Sequence, residues 1–376
     1  MKRKRMIGAL LLLGWLSACR EGGQNVIPDG RDPDLVQLPY APSPYDLEIP
    51  PGFPQMVIPA DNPLTLQGVA LGRRLFYDPI LSADSTISCS SCHQLEQAFN
   101  DRLPLAVGIG NQVGPRSSMS LLNIGFNENG FFWDGRVRTL EEQALHPVTN
   151  PVEMGDIWEH VEEKLRRHPT YPAYFREAFG IDARAQLTRS LVSKALAQFE
   201  RTLVSANSRY DQKFYQGNDD PFLLSDLEID GYNIFFDDLT NTSKGGHCAH
   251  CHGGPLLTNN DYFNNAIQAV NSLDDFQDKG LGAITGRRTD NGKFRAPSLR
   301  NIALGAPYMH NGRFQTLEEV VDHYSSGGHW AENVNVQSIN HLSLNDYEKK
   351  ALTAFLHTFT DTTFYTREEF RSPFPE

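Results

Sequence analysis

Cysteine is scarce in this chain, five in 376 residues. Four of the five stand in two C-x-x-C pairs and the fifth is Cys19, so no thiol is left for a disulfide framework. Basic residues are outnumbered as well: Lys plus Arg total 34 against 46 for Asp plus Glu, a formal net charge of −12. Such a balance argues against nucleic acid as a partner; it suits either plain solubility or the steering of a basic redox protein. No apolar run reaches the roughly 20 residues that a membrane-spanning helix needs. Period-two strand patterns are sparse, which leaves a mainly α class. The length allows two domains of ordinary size, each with its own core.

At the N-terminus, Lys2, Arg3, Lys4 and Arg5 precede the apolar run Met6 to Leu13 and a small-residue site, the layout of an export signal. Leu16-Ser17-Ala18-Cys19 resembles the lipobox of bacterial lipoproteins. That pattern implies a signal peptide over 1–18, lipid on Cys19, and a periplasmic protein whose only membrane contact is that anchor, in the outer membrane of a Gram-negative cell. Ordinary secretion with cleavage nearby is the alternative, and the otherwise orphan thiol of Cys19 favours lipidation. Loss of the four cations takes the net charge from −12 to −16. Residues 19–63, with ten of the 23 prolines, read as an extended tether that ends against the first domain.

The two cysteine pairs are Cys89-Ser90-Ser91-Cys92-His93 and Cys248-Ala249-His250-Cys251-His252. C-x-x-C-H is the attachment signature of c-type haem: both thiols add to vinyl groups and the adjoining imidazole becomes the proximal iron ligand. Zinc would need four ligands at one centre, and the two pairs are far apart in sequence. A redox dithiol would sit in a βαβ context and would not call for histidine straight after it. Two covalent haem c groups are the better reading.

The halves of the chain repeat each other. Gly72-Arg73-Arg74-Leu75-Phe76-Tyr77-Asp78 precedes Cys89 at the interval by which Gly231-Tyr232-Asn233-Ile234-Phe235-Phe236-Asp237 precedes Cys248. Ser120-Leu121-Leu122-Asn123-Ile124 matches Ser298-Leu299-Arg300-Asn301-Ile302, and Asp134 to Glu142 matches Asn311 to Glu319. Both of the latter stretches contain T-x-x-E, a capping box that opens a helix. Helical spacing also marks Thr65 onward, Leu187 to Val204, and a helix capped by Ser343-x-x-Asp346. The expected organisation is two cytochrome c-like helical domains, 64–215 and 222–363, each holding one haem, followed by a tail over 364–376.

The repeat is unequal at one place. Tyr324 stands eight residues after Thr316, and the equivalent position after Thr139 is Pro147. If the capped helix runs over the distal face of each haem, the second iron meets a phenol and the first meets a residue unable to coordinate. No histidine lies between His93 and His146 to replace it. His146 adjoins Pro147 and is a rival that could reach the first iron, but His323 adjoins Tyr324 in the same way, which favours a shared helical position that points elsewhere. An open iron can bind peroxide, whereas a six-coordinate one moves electrons.

Cys89 to His93, F-F-W-D-G-R at Phe131 to Arg136, N-P-V-E-M at Asn150 to Met154 and A-P-Y-M-H-N-G-R-F at Ala306 to Phe314 resemble the bacterial di-haem cytochrome c peroxidase and MauG superfamily over roughly 50–363. The resemblance implies Glu153 as distal acid/base at the peroxidatic haem, Gln143 beside it, Trp133 between the haems, and Tyr324 as distal ligand of the second iron, where typical peroxidases have methionine and MauG has tyrosine. Met309 is a rival ligand, though its counterpart Phe132 favours packing. The resemblance implies calcium between the domains; Gly305 and Pro307 offer carbonyls, but Ser117 stands where the family has asparagine, which weakens that expectation. A histidine near Ile109, found where reductive activation is needed, is absent, and so is MauG's surface tryptophan before the second motif. The implied activity is reduction of hydrogen peroxide with electrons from a cytochrome c or cupredoxin. The alternatives are oxidation of Trp or Tyr in a partner protein, and a non-enzymatic electron carrier.

Overall fold

Thr65 starts the first long helix because its Oγ1 accepts the Gly68 amide at 3.0 Å, satisfying a donor that no helical turn can reach. The computed structural model describes residues 30–236, 245–334, 339 and 342–375; the segment 1–18 and Cys19 lie outside the described residues. The long helices are α1 (Leu66–Tyr77), α2 (Leu140–Thr149), α3 (Trp158–Arg167), α4 (Tyr171–Phe179), α5 (Arg189–Thr202), α6 (Asp226–Phe236), α7 (Leu317–Ser326) and α8 (Asp346–His357). The one small sheet among the described residues pairs β1 (Tyr262–Phe263) antiparallel with β2 (Phe294–Arg295), Tyr262 opposite Arg295. The fold is mainly α.

The repeat read in the sequence is a repeat in space. α1 crosses α5 at Gly72, where a Cβ would lie 1.9 Å from the Ala195 carbonyl oxygen, and α6 crosses α8 at Gly231, 2.1 Å from that of Ala351. Only a residue without a side chain permits either approach. Thr139 and Thr316 cap α2 and α7 by accepting from Glu142 N at 3.1 Å and Glu319 N at 3.2 Å. The two glutamates reach back one residue beyond the cap, to the Arg138 and Gln315 amides. Asn123 and Asn301 both take left-handed backbone, φ 61° and 59°.

Those asparagines knit the halves together. Asn123 accepts from the Ser205 amide and donates to the Ser205 carbonyl, while Asn301 donates to Ser205 Oγ and accepts from the Asp361 amide. The proline-rich segment adds a second tie: Phe53 and Met56 pack against Phe126, Val204 and Leu256, and the Arg300 guanidinium lies 4.5 Å over the Phe53 ring. The segment therefore touches both halves, not the first alone.

Three boundaries differ from the sequence reading. α8 is capped by Asn345, which accepts from Glu348 N at 3.0 Å, because Asn345 offers the same acceptor two residues closer than Ser343. The short helix Arg209–Phe214 sits with the second half, since Tyr210 packs on Phe355 and Phe359 at ring distances of 5.9 and 5.0 Å. Residues beyond 363 do not trail away: Phe364 and Phe370 are buried in the first core, and Phe370 meets Phe99 edge-on at 6.1 Å. An amphipathic segment with two large rings lowers its free energy by burying them wherever an apolar face lies within reach. Phe370→Ala should therefore cost about 3–5 kcal/mol of stability, read by urea unfolding; an unchanged midpoint would mean the C-terminal segment is dispensable to the core.

Candidate active site

Each C-x-x-C-H motif forms a single helical turn that brings its histidine under the thiols. The His93 amide bonds the Cys89 carbonyl at 3.0 Å and the His252 amide that of Cys248 at 2.9 Å. The rings are then held by main chain: His93 Nδ1 lies 3.0 Å from the Phe99 carbonyl, and His252 Nδ1 lies 3.1 Å from that of Pro297. Burial pushes His93 below the ordinary imidazole range and His252 down to about 4. A neutral imidazole donating through Nδ1 keeps its lone pair on Nε2, the form a metal needs. The thiols are shifted the other way. Burial pushes Cys92 and Cys251 up to about 11 and Cys89 higher still, so none of these three is the low-pKa thiolate of a redox dithiol.

The first motif opens on a cavity of 640 Å³ lined by Cys89, Cys92, His93, Trp133, Gln143, Pro147 and Glu153. The second faces a tighter space of 170 Å³ lined by Cys248, Cys251, His252, Trp133, Met309 and Tyr324. Ligand sites span roughly 300–1,000 Å³; the first is of that size, and the second requires the side chains around Tyr324 to part. The donor sets suit a covalent haem in both: paired thiols, an oriented imidazole and apolar walls. The first also holds an unanswered polar atom, Gln143 Oε1, buried without a hydrogen-bond partner. Such an atom is costly unless a bound group or water meets it.

Glu153 points into the first cavity from the turn that follows α2. Burial raises its carboxyl above the ordinary range, opposed by a 2.6 Å hydrogen bond from Asn150 Nδ2 and by the charge of Arg136. Arg136 in turn stacks 3.5 Å over the Phe132 ring. His146, although exposed, also lines the first cavity instead of pointing wholly elsewhere and meets Phe132 edge-on at 5.8 Å, while its counterpart His323 bonds the Asn265 carbonyl at 2.8 Å. Pro147 lies inside α2 and Tyr324 on the equivalent turn of α7. Burial and the nearby Cys251 and Cys248 push the Tyr324 phenol up, with a hydrogen bond to Asn265 opposing. Met309 reaches the same cavity, its sulfur 3.2 Å from Asn265 Nδ2.

Trp133 lines both cavities and also a third, of 110 Å³, that lies between the halves and holds Gly305 and Pro307. Its Nε1 donates to the Ser117 carbonyl at 3.0 Å, and its ring meets His310, its counterpart in the repeat, at 6.4 Å. In the third cavity the Gly305 carbonyl accepts from Asn100 Nδ2 at 3.5 Å, and Ser117 Oγ donates to the Met309 carbonyl at 2.9 Å.

Two cavity residues went unread in the sequence. Glu200, on α5, lines the first cavity, is 5% exposed, and leaves Oε2 without a partner. Burial, with Glu141 adding and Arg201 opposing, pushes it up to about 8. Its counterpart is Leu356, so an acid occupying an apolar-face position of Leu196, Phe199 and Leu203 was the available signal. Arg295, on β2, lines all three cavities and carried no spacing signal, since a two-residue strand has no period to read.

Comparison with known proteins bears on this geometry. The di-haem cytochrome c peroxidase family model matches residues 66–220. Cytochrome c551 peroxidase of Nitrosomonas europaea is 36% identical over 273 residues, 72% of this chain and 76% of that protein. Methylamine utilization protein MauG of Methylorubrum extorquens is 35% identical over 305 residues, 80% of each. A solved MauG-like protein associated with microbial copper homeostasis superposes with a TM-score of 0.79 at 32% identity, covering 88% of this chain and 99% of its own.

The Glu200 environment has a stability consequence. The native carboxyl keeps its proton to about pH 8, whereas an unfolded glutamate loses it near about 4.3. Between those values the native state binds the extra proton, so this group's contribution to stability falls as pH rises. Urea unfolding at several pH values should show that slope in the wild type and a flatter one in Glu200→Gln; equal slopes would refute the burial argument.

Proposed function

Because the chain belongs to the di-haem cytochrome c peroxidase family, we propose that it is an exported, lipid-anchored oxidoreductase that reduces hydrogen peroxide at the His93 haem with electrons arriving through the His252 haem. Export and the anchor rest on the N-terminal pattern ending at Cys19. The observation that carries the division of labour is the pair Pro147 and Tyr324 at one position of two equivalent helices. A proline cannot ligate and leaves the first site open; a phenol closes the second.

When bound, the haem supplies an iron that takes up the oxidising equivalents of peroxide. Cys89, Cys92 and His93 would hold one group, and Cys248, Cys251, His252 and Tyr324 the other. Glu153 accepts the proton of the inner peroxide oxygen and returns it to the outer one, which leaves as water. Its raised carboxyl makes it the stronger base for the accepting step, and Asn150 holds one oxygen in place. Gln143 hydrogen-bonds the substrate or an ordered water. Trp133, common to both cavities, is the aromatic through which electrons cross. Two electrons and two protons complete the conversion of each peroxide to two waters, with a small basic cytochrome c or a cupredoxin as donor. Calcium held by the Gly305 and Pro307 carbonyls belongs to the proposal at lower weight, given the Ser117 hydroxyl bond to Met309.

A second reading, a MauG-like oxidation of Trp or Tyr in a partner protein, is favoured by one feature, the tyrosine at 324. Steady turnover with reduced cytochrome c or cupredoxin supports the peroxidase; a long-lived oxidised state that such donors fail to discharge supports the protein substrate.

Glu153→Gln should slow oxidation of the protein by added peroxide by roughly 10²–10⁴-fold. In the wild type the rate should climb with pH through a value above that of an ordinary glutamate, because the carboxylate is the accepting form; a variant as fast as the wild type would remove Glu153 from the chemistry. Tyr324→Phe should alter the low-spin EPR signal and leave the high-spin one intact, and an unaltered low-spin signal with methionine-type charge-transfer absorption would assign the ligand to Met309.

A further inference from the structure

Arg295 is a buried cation without a counter-ion. It is 6% exposed, and burial pulls its guanidinium down to about 10. Its Nη1 lies 3.4 Å from Asn260 Oδ1 and its Nη2 lies 3.7 Å from the Met119 sulfur, while Nε has no partner. No carboxylate among the described residues forms an ion pair with it. The other guanidiniums that line the cavities are all neutralised: Arg116 by Asp134 and Asp278, Arg136 by Asp134, and Arg300 by Asp211. Of these guanidiniums Arg295 alone lines all three cavities, as Trp133 does, and its amide is fastened to the Trp133 carbonyl at 2.9 Å. A folded chain that keeps an uncompensated charge at such a place is built for an anion brought by something else.

We propose that Arg295 is the common counter-ion for propionate carboxylates of both haems, a positioning residue whose planar fork meets carboxylate oxygens at the junction of the two cavities. This rests on the di-haem reading above. Each haem carries two propionates, and a guanidinium is the side chain best matched to a carboxylate in pairs of parallel hydrogen bonds. Being tied by its backbone to Trp133, Arg295 sets the haem edges relative to the aromatic that separates them. A fixed cation beside both haems also stabilises the reduced state of each, because reduction adds negative charge, so both potentials rise together.

The test uses the full-length holoprotein. Pyridine haemochrome analysis first establishes two covalent haems in wild type, Arg295→Gln and Arg295→Lys, since attachment runs through the cysteines. Spectroelectrochemistry and resonance Raman of the propionate bending bands then follow. Arg295→Gln should raise the ferric-to-ferrous ratio at a fixed ambient potential roughly tenfold at each haem, about 59 mV for a one-electron couple, and move the propionate bands of both. Arg295→Lys keeps the charge without the fork: potentials should stay near wild type while the bands still move, and this variant carries the test if the glutamine variant does not fold. Unchanged potentials and bands, a shift at one haem only, or wild-type potentials that follow added chloride or phosphate as a solvent anion fills the site, would each overturn the proposal. Failure of the functional reading looks different: a wild type with two haems that peroxide does not oxidise removes the peroxidase and leaves the Arg295 measurement intact.

Discussion

A ring nitrogen can serve a metal only if its partner nitrogen is held, and in this protein the holding is done by main chain. The Phe99 and Pro297 carbonyls each take the Nδ1 side of a buried imidazole, which orients the ring and fixes the tautomer. The Phe99 carbonyl lies in a segment that pairs with the Ser120 stretch, whose hydroxyl bonds the Ala98 carbonyl, whereas Pro297 directly precedes Ser298, whose hydroxyl bonds the Leu256 carbonyl. The left-handed asparagines at 123 and 301 turn the same stretches back toward the interface. The two held histidines, the helix crossings and the contact between halves thus form one connected network.

On this shared scaffold several of the differences face the cavities. Pro147 stands against Tyr324, Phe132 against Met309, Trp133 against His310, and Glu200 against Leu356. Phe132 and Met309 both occupy left-handed backbone, φ 64° and 74°, so the main chain treats them alike and only the side chains differ. The first cavity collects the polar groups, Glu153, Gln143 and Glu200, and the second is walled by leucines, valines and a phenol. Two chemically different cavities arise from substitution at a handful of equivalent positions.

Most of the helices could be read in the sequence because their signals are local. Thr65, Thr139 and Thr316 each announce a helix with an oxygen acceptor followed by apolar residues at helical spacing, and each is a cap in the structure. Ser343 misled for the same reason it attracted notice: Asn345 carries an equal acceptor two residues on and wins by position. The tail was misjudged because Phe370 finds its partners far back along the chain, at Phe99 and Tyr77. No window along the chain contains that contact.

The sequence by itself determined the two C-x-x-C-H motifs, the duplication and its unequal pair Pro147 and Tyr324, since motif spacing and helical register depend on neighbours a few residues apart. Only the tertiary structure decided that Arg295 stands between the cavities with no acid paired to it among the described residues, and that Glu200 is buried beside the first motif. Charge becomes significant through what surrounds it, and those surroundings are assembled from segments that the chain keeps far apart.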